Sequence, residues 1–183
     1  MSRPRAVIFG CAGPDLTPAE RAFFRDSDPL GFILFARNVD TPDRTRQLVD
    51  NLRACVARSD APVLIDQEGG RVARLKRPHW RKAPPARLFG DLYARDPERG
   101  LEAVRLNSRL LAADVASVGC DVDCLPVLDI AFPETHAVIG DRAYADRPEP
   151  VAALGRAAAE GLLVEGVMPV IKHIPGHGCA TVD

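Results

Sequence analysis

The segment 172–178, with the sequence KHIPGHG, combines residue types that can bind a polar ligand. It contains the cation Lys172 and the imidazole of His173, and it follows an apolar run at positions 167–171. A buried strand that leads into such a loop can build a site, because the strand fixes the base of the loop and glycine lets the backbone approach a ligand. The segment is therefore expected to form part of a functional site.

A metal ion is not expected at this segment. His173 and His177 are four residues apart, which is the spacing of the two histidines in helical zinc sites. Pro175 and Gly176 lie between them and disfavour the helix that would place both imidazoles on one face.

A second polar segment, 64–74 with the sequence LIDQEGGRVAR, also follows apolar residues. A carboxylate at a strand end, such as that of Asp66, can accept hydrogen bonds from two neighbouring hydroxyls, which suits a sugar. Arg74 would add a rigid fork of donors. A structural ion pair between Asp66 and Arg74 at the base of the loop is the alternative interpretation.

A third segment, 138–144 with the sequence VIGDRAY, follows the fourth strand candidate. Arg142 in this segment is a candidate for a side chain that points into the pocket. Asp129, which follows the same strand more closely, is expected to hold its loop together by hydrogen bonds.

Short apolar runs separated by helical patterns must position these side chains. Explicit start signals mark the helices, such as the capping box that Thr17 and Glu20 can form and the Asp96-Pro97 pair. An alanine-rich helix is predicted at 148–165, and an irregular insert is expected between the third strand and the helix that opens at Asp96. The strand candidates are 6–10, 31–35, 62–66, 123–128 and 168–173.

This alternation predicts an α/β fold with a parallel sheet covered by helices. An open doubly wound sheet and a (β/α)8 barrel both fit it. The polar residues follow successive strands, which favours the barrel, where all strand ends converge on one mouth. The chain also lacks the GxGxxG and Walker A sequences of nucleotide folds. A barrel takes about 250 residues, so residues 1–183 are expected to supply its first five β/α units as part of a single domain.

The bulk composition is that of an ordinary globular domain. The chain has 183 residues, is 46% hydrophobic and 27% charged, and carries a formal net charge of −1. This balance gives no electrostatic reason to expect a nucleic acid or an anionic membrane as partner.

Five cysteines without a CxxC spacing suggest reduced thiols, and the interpretation is a cytoplasmic protein. The basic run 71–82 is interpreted as a solvated loop with one or two members recruited to a site.

The three polar segments together resemble one family. The sequences DQEGGRV at 66–72, IGDRAY at 139–144 and KHIPGHG at 172–178 resemble the bacterial β-N-acetylhexosaminidases of glycoside hydrolase family 3 in order and spacing. GFILFARN at 31–38 is similar to the second strand of that family. The resemblance implies a (β/α)8 barrel that removes terminal N-acetylglucosamine from muropeptides in peptidoglycan recycling. It implies no cofactor.

The resemblance also assigns expected roles to individual residues. Asp66, Arg74, Arg142, Lys172 and His173 would bind the sugar, with Asp66 on the ring hydroxyls. The family reaction is a retaining double displacement by a nucleophilic carboxylate and a general acid/base. The acid/base resembles an Asp-His pair, in which Asp183 matches the aspartate. Its histidine and the nucleophilic aspartate are expected at later positions than this sequence contains, so the isolated chain is expected to be inactive.

Two other functions stay open at this point. One is a non-catalytic sugar-binding half-barrel, folded alone or completed by a partner chain. The other is a barrel enzyme that acts on a phosphorylated substrate, with Gly69 and Gly70 near an anion. The residues do not decide the oligomeric state, the aglycone, gluco against galacto selectivity, or water against phosphate as acceptor.

Overall fold

The computed structural model describes residues 3–182. Five strands and five α-helices follow one another along the described chain, in an order that begins β-α-β-α-β. The strands are β1 (Arg5–Phe9), β2 (Pro29–Leu34), β3 (Val63–Ile65), β4 (Val122–Asp123) and β5 (Met168–Pro169). The helices are α1 (Pro18–Ser27), α2 (Pro42–Cys55), α3 (Ala86–Arg95), α4 (Pro97–Ser117) and α5 (Pro148–Val164), and short 3-10 helices occupy Ala36–Asn38, Gly140–Arg142 and His177–Cys179.

The five strands form one parallel sheet in the order β1-β2-β3-β4-β5. Each strand therefore pairs with its neighbour in the chain, and the order never reverses as it does in a doubly wound sheet. This sequential parallel winding confirms the expected α/β class and corresponds to the first five β/α units of a barrel. Within residues 3–182, β1 and β5 are the edge strands of this sheet.

Three of the predicted strands are shorter in the structure than in the sequence pattern, and the prediction 62–66 is reduced to Val63–Ile65. The predictions 123–128 and 168–173 contract to two residues each, because Pro126 and Pro169 have no N–H group for the ladder. Pairing resumes beyond these prolines, where Leu128 N donates to Lys172 O at 2.7 Å and Lys172 N donates to Pro126 O at 3.2 Å. The backbone that carries Lys172 is thus still anchored to the fourth strand.

The predicted helix starts are present. Thr17 Oγ1 accepts from Glu20 N at 3.2 Å, and Glu20 accepts from Thr17 N at 2.8 Å, which completes the capping box. Asp96 caps α4 by accepting from Arg99 N at 3.1 Å. The expectation of an irregular insert before α4 was wrong, because the insert contains the ten-residue helix α3.

The core lies between the sheet and the helices. Side chains of β2 and β3, including Phe32, Leu34 and Ile65, are fully buried against Leu48 of α2 and Leu111 of α4. A second apolar cluster joins α3, α4 and α5 around Leu154 and Tyr144. Within residues 3–182, no helix combines the length and the apolar character needed to cross a membrane.

Candidate functional site

Asp66 follows β3 directly and is paired with two cations from different loops. Lys172 Nζ donates to Asp66 Oδ1 at 2.8 Å, and Arg74 Nη2 donates to Asp66 Oδ2 at 3.0 Å. Burial acts to raise the pKa of Asp66, but the hydrogen bond from Lys172 and the charges of Lys172 and Arg74 outweigh it, so the pKa lies below its ordinary value. The carboxylate is therefore held ionised, with its side chain 19% exposed.

Glu68 forms the second carboxylate of the cluster. Arg142 Nε donates to Glu68 Oε2 and Arg142 Nη2 to Glu68 Oε1, both at 2.9 Å, in a two-bond fork geometry. Lys172 Nζ lies 2.6 Å from Glu68 Oε1 and so bridges Asp66 and Glu68. Burial acts to lower the pKa of Lys172, but Glu68 and Asp66 outweigh it and raise the pKa. Asp66 and Lys172 are therefore expected to be charged at neutral pH.

His173 joins the same cluster through Asp129. His173 Nδ1 lies 2.5 Å from Asp129 Oδ2, and its Nε2 lies 3.4 Å from Arg142 Nη2. Because arginine only donates, a neutral His173 would carry its proton on Nδ1, towards Asp129, and accept through Nε2. The imidazole side chain is 33% exposed, so part of it is accessible to a ligand.

Asp129 also fixes the loop that follows His173. Its Oδ1 accepts from the backbone N–H groups of His177 at 2.6 Å and Gly178 at 3.2 Å, and the carboxylate itself is buried. The expected loop-binding role of Asp129 is thus present in the structure, and the same side chain orients His173.

The sequence interpretation missed Gln67, which lies between the two acids and is buried. Its Oε1 accepts from Arg74 N at 2.9 Å and Leu75 N at 3.0 Å, and its Nε2 donates to Leu75 O at 3.0 Å. Its backbone N–H donates to Asp123 Oδ1 at 2.9 Å. Gln67 therefore fixes Arg74 relative to the end of β3. Alternation along a strand, which puts Gln67 on the face opposite Asp66 and Glu68, was the available signal.

Arg71, the other arginine of that segment, has a structural role. Its Nε lies 3.1 Å from Asp141 Oδ1, and its Nη2 donates to three carbonyls, those of Ala137, Val138 and Ile139. It thereby holds the segment that carries Arg142 against the loop after β3. The basic run 71–82 thus contributes Arg74 to the site and Arg71 to its support.

The five predicted sugar-binding residues therefore lie in one connected cluster. Asp66, Arg74, Arg142, Lys172 and His173 come from the ends of three different strands. Two carboxyl groups and several fixed donors around a partly exposed surface can accept from and donate to the hydroxyls of a neutral polar ligand. Asp183, expected to orient an acid/base histidine, lies outside the described residues. No group of three or more His, Cys, Asp or Glu residues in the part of the chain that the structure describes is arranged to hold a metal ion.

Comparison with known proteins finds one matching family model and several similar sequences. Residues 18–183 match the family model described as the glycosyl hydrolase family 3 N-terminal domain. A β-hexosaminidase of Xanthomonas campestris pv. campestris (strain B100) is 36% identical over 177 residues, which is 97% of this chain and 52% of that protein. A β-hexosaminidase of Nitrosomonas eutropha is 40% identical over 97% of this chain and 50% of its own length. The chain thus spans about half the length of these curated relatives.

Solved structures of enzymes with similar sequences also match the fold of this chain. Native NagZ from Neisseria gonorrhoeae matches with a TM-score of 0.88 and 32% identity, covering 96% of this chain and 51% of that one. NagZ from the same organism in complex with N-trifluoroacetyl-D-glucosamine matches with a TM-score of 0.89 and 32% identity, covering 96% of this chain and 52% of that one. A family 3 β-N-acetylglucosaminidase from Paenibacillus sp. str. FPU-7 matches with a TM-score of 0.85 and 30% identity, covering 96% and 33%.

Proposed function

Because the chain belongs to glycoside hydrolase family 3, as its N-terminal domain, we propose that it supplies the sugar-binding part of a retaining exo-β-N-acetylglucosaminidase. The proposed substrate is a muropeptide with a terminal N-acetylglucosamine, and the proposed setting is peptidoglycan recycling in the cytoplasm. The names of the relatives, β-hexosaminidase and NagZ, support the sugar class. The free state of all five cysteines fits a reducing compartment.

The paired carboxylate of Asp66 is the observation that carries this proposal. Lys172 and Arg74 each bind one of its oxygens, so the carboxylate stays ionised and fixed at the end of β3. Each carboxylate oxygen can accept more than one hydrogen bond, so both oxygens keep acceptor capacity for neighbouring ring hydroxyls. Because these polar groups are already in place, a sugar would bind without the cost of assembling the site.

The contacts of the acidic residues also indicate which roles these residues can take in a glycosidase reaction. A retaining glycosidase needs a carboxylate that can attack the anomeric carbon and a second group that protonates the leaving oxygen. Asp66, Glu68 and Asp129 are each engaged by cations or backbone N–H groups. We therefore assign these three acids to binding and positioning, and not to nucleophilic attack.

This engagement of the acids also favours the second candidate, a sugar-binding unit without turnover. The two candidates differ in one measurement, the release of product from an aryl β-N-acetylglucosaminide. Both candidates predict that the 183-residue chain binds N-acetylglucosamine without turnover, so this measurement is made on the whole gene product: turnover supports the glycosidase, and binding without turnover supports the second candidate.

Sugar binding itself is tested by titrating N-acetylglucosamine into the chain and following backbone amide signals by NMR. Lys172→Met keeps the length of the side chain but leaves Asp66 and Glu68 without their shared cation, and we expect affinity to fall at least about tenfold. Arg156→Met, at an exposed position without an ion pair to any described carboxylate, serves as the control and should bind as the unchanged protein does. Equal affinity of the two variants, or no binding by the unchanged chain, would contradict the proposal.

A further inference from the structure

Phe35 follows the last residue of β2 and lies next to the ion-paired cluster around Asp66. In the ladder between β2 and β3, Leu34 lies beside Ile65. Phe35 still has an extended backbone, with φ −116° and ψ 174°, so the same register continues by one residue and sets Phe35 beside Asp66. Neighbours in a parallel ladder point to the same face of the sheet, which places the phenyl ring on the face that carries the Asp66 carboxylate.

The ring of Phe35 is partly exposed, unlike the apolar side chains that precede it on the other face of β2. Phe32 and Leu34 are fully buried against the helices, whereas Phe35 keeps part of its surface in solvent. Alternation along the strand explains the difference, because positions 32 and 34 face the helices and position 35 faces the opposite side of the sheet. An apolar surface left open beside charged groups can bind the apolar part of a polar ligand.

Contacts from β1 and from the turn after β2 fix Phe35 in place. Phe35 N donates to Asn38 Oδ1 at 2.8 Å, and Asn38 Nδ2 donates to Cys11 O at 3.1 Å. The guanidinium carbon of Arg37 lies 4.7 Å from the centroid of the Phe35 ring, and Arg37 Nε donates to Cys11 O at 2.9 Å. A Cβ placed on Gly10 would lie 3.2 Å from Phe35 Cε2, so the backbone at the end of β1 approaches the ring closely. A ring held in this way loses little conformational freedom when a ligand binds.

We propose that Phe35 is the apolar platform of the sugar site, against which the C–H groups of the bound sugar ring pack. A pyranose carries hydroxyls around its edge and C–H groups on its faces. Because Phe35 and Asp66 point to the same side of the sheet, one sugar can donate its hydroxyls to the carboxylate and place a C–H face on the phenyl ring. The negative face of an aromatic ring attracts these C–H groups, in addition to the burial of apolar surface. The identity of the sugar, N-acetylglucosamine, rests on the proposed function.

The direct test is an NMR titration of the 183-residue chain with N-acetylglucosamine. The ring signals of Phe35 are assigned through bonds from its own backbone amide, and isotope-filtered NOE spectra detect sugar protons near them. We expect NOEs between the Phe35 ring and C–H protons of the sugar, together with upfield shifts of those sugar signals, because they lie over an aromatic ring. This measurement uses the unchanged protein, so it holds even if a variant at Phe35 does not fold.

Matched substitutions separate the ring from apolar volume. Phe35→Leu keeps an apolar side chain without the ring, and we expect it to bind N-acetylglucosamine about fivefold more weakly and to lose the upfield shifts. Phe35→Tyr keeps the ring and should stay within about twofold of the unchanged protein. Phe23→Leu is the control, because Phe23 is an exposed phenylalanine of α1, and it should bind as the unchanged protein does.

The outcomes keep this inference distinct from the proposed function. Sugar-induced shifts at Asp66 and Lys172 without NOEs to Phe35 would reject the platform and leave the sugar site standing. Equal affinities of Phe35→Leu and Phe23→Leu, or a loss in Phe35→Tyr as large as that in Phe35→Leu, would reject it in the same way and show that the ring only fills space. If no signal responds to the sugar, the sugar site and the platform are both rejected.

Discussion

Lys172 Nζ lies 2.8 Å from Asp66 Oδ1, although the two residues are 106 positions apart in the chain. The lysine belongs to the loop after β5 and the aspartate follows β3 directly. In a parallel sheet of this order the carboxyl ends of β3, β4 and β5 lie along one edge, which places side chains from distant segments side by side.

Asp66→Asn should reveal a pH-dependent contribution to stability. The pKa of Asp66 in the folded protein lies below its ordinary value of 3.8, so the ionised carboxylate stabilises the fold above that value and the contribution is lost as the pH falls through the lower, folded-state pKa. We expect the variant to be about 2 kcal/mol less stable at pH 7. Urea unfolding at a series of pH values should show this difference shrinking below about pH 4. The same difference for Asp60→Asn, an exposed acid without an ion pair to a described cation, would reject the interpretation.

Asp123→Asn should stabilise the protein at neutral pH, whereas Asp66→Asn should destabilise it. Asp123 is buried, its Oδ1 accepts from Gln67 N, and its Oδ2 has no hydrogen-bond partner in the described part of the chain. Burial raises its pKa well above 3.8, despite the hydrogen bond from Gln67 N and the charge of Lys172. A raised pKa means that the favourable contribution of this carboxyl is complete below 3.8 and is lost as the pH rises through the folded-state pKa.

The neutral amide avoids this loss while keeping the shape and the Oδ1 acceptor. We therefore expect Asp123→Asn to raise the free energy of unfolding by about 1–3 kcal/mol at pH 7, with the gain disappearing towards pH 4. Denaturant titrations at pH 4 and pH 7 measure this effect, and Asp60→Asn again serves as the exposed control. A variant that is less stable than the unchanged protein at pH 7 would show that the charged form is the stabilising one.

Arg142→Lys tests the two-bond geometry with Glu68. Lysine keeps the charge but cannot make both of the 2.9 Å bonds that Arg142 makes to the two carboxylate oxygens. We expect a loss of about 1–2 kcal/mol in the free energy of unfolding and weaker binding of N-acetylglucosamine. Arg147→Lys, five residues further along and exposed, should change neither quantity. If the two substitutions have equal effects, the fork geometry has no special role.

Asp129→Ala should loosen the loop after His173. The carboxylate is the acceptor for His177 N and Gly178 N, so its removal leaves both amide groups without that partner. We expect hydrogen exchange at these two amides to become at least about tenfold faster, which corresponds to one lost hydrogen bond. Asp129→Asn retains one acceptor oxygen and should fall between the alanine variant and the unchanged protein. Unchanged exchange in the alanine variant would mean that other contacts hold the loop.

The local signals in the sequence predicted most of the elements. The capping box at Thr17 and the cap at Asp96 depend on neighbours three residues away, so the residues themselves specify the helix starts. Helix α3 was missed because its N-cap is Pro85, which makes no side-chain cap bond and leaves no polar start signal. The ends of β4 and β5 were overextended because apolar character continues past Pro126 and Pro169, whereas regular pairing is interrupted there and resumes only as an isolated bridge between Val127 and Lys172.

The sequence by itself determined the family, the alternation of strands and helices, and the identity of the polar residues that follow the strands, because these depend on residue type and short-range spacing. Only the tertiary structure decided which charges meet. It placed Lys172 between Asp66 and Glu68, and it paired Glu68 with Arg142 and His173 with Asp129. Those partners are tens of residues apart, and strand order and register bring them together, which local propensities do not encode.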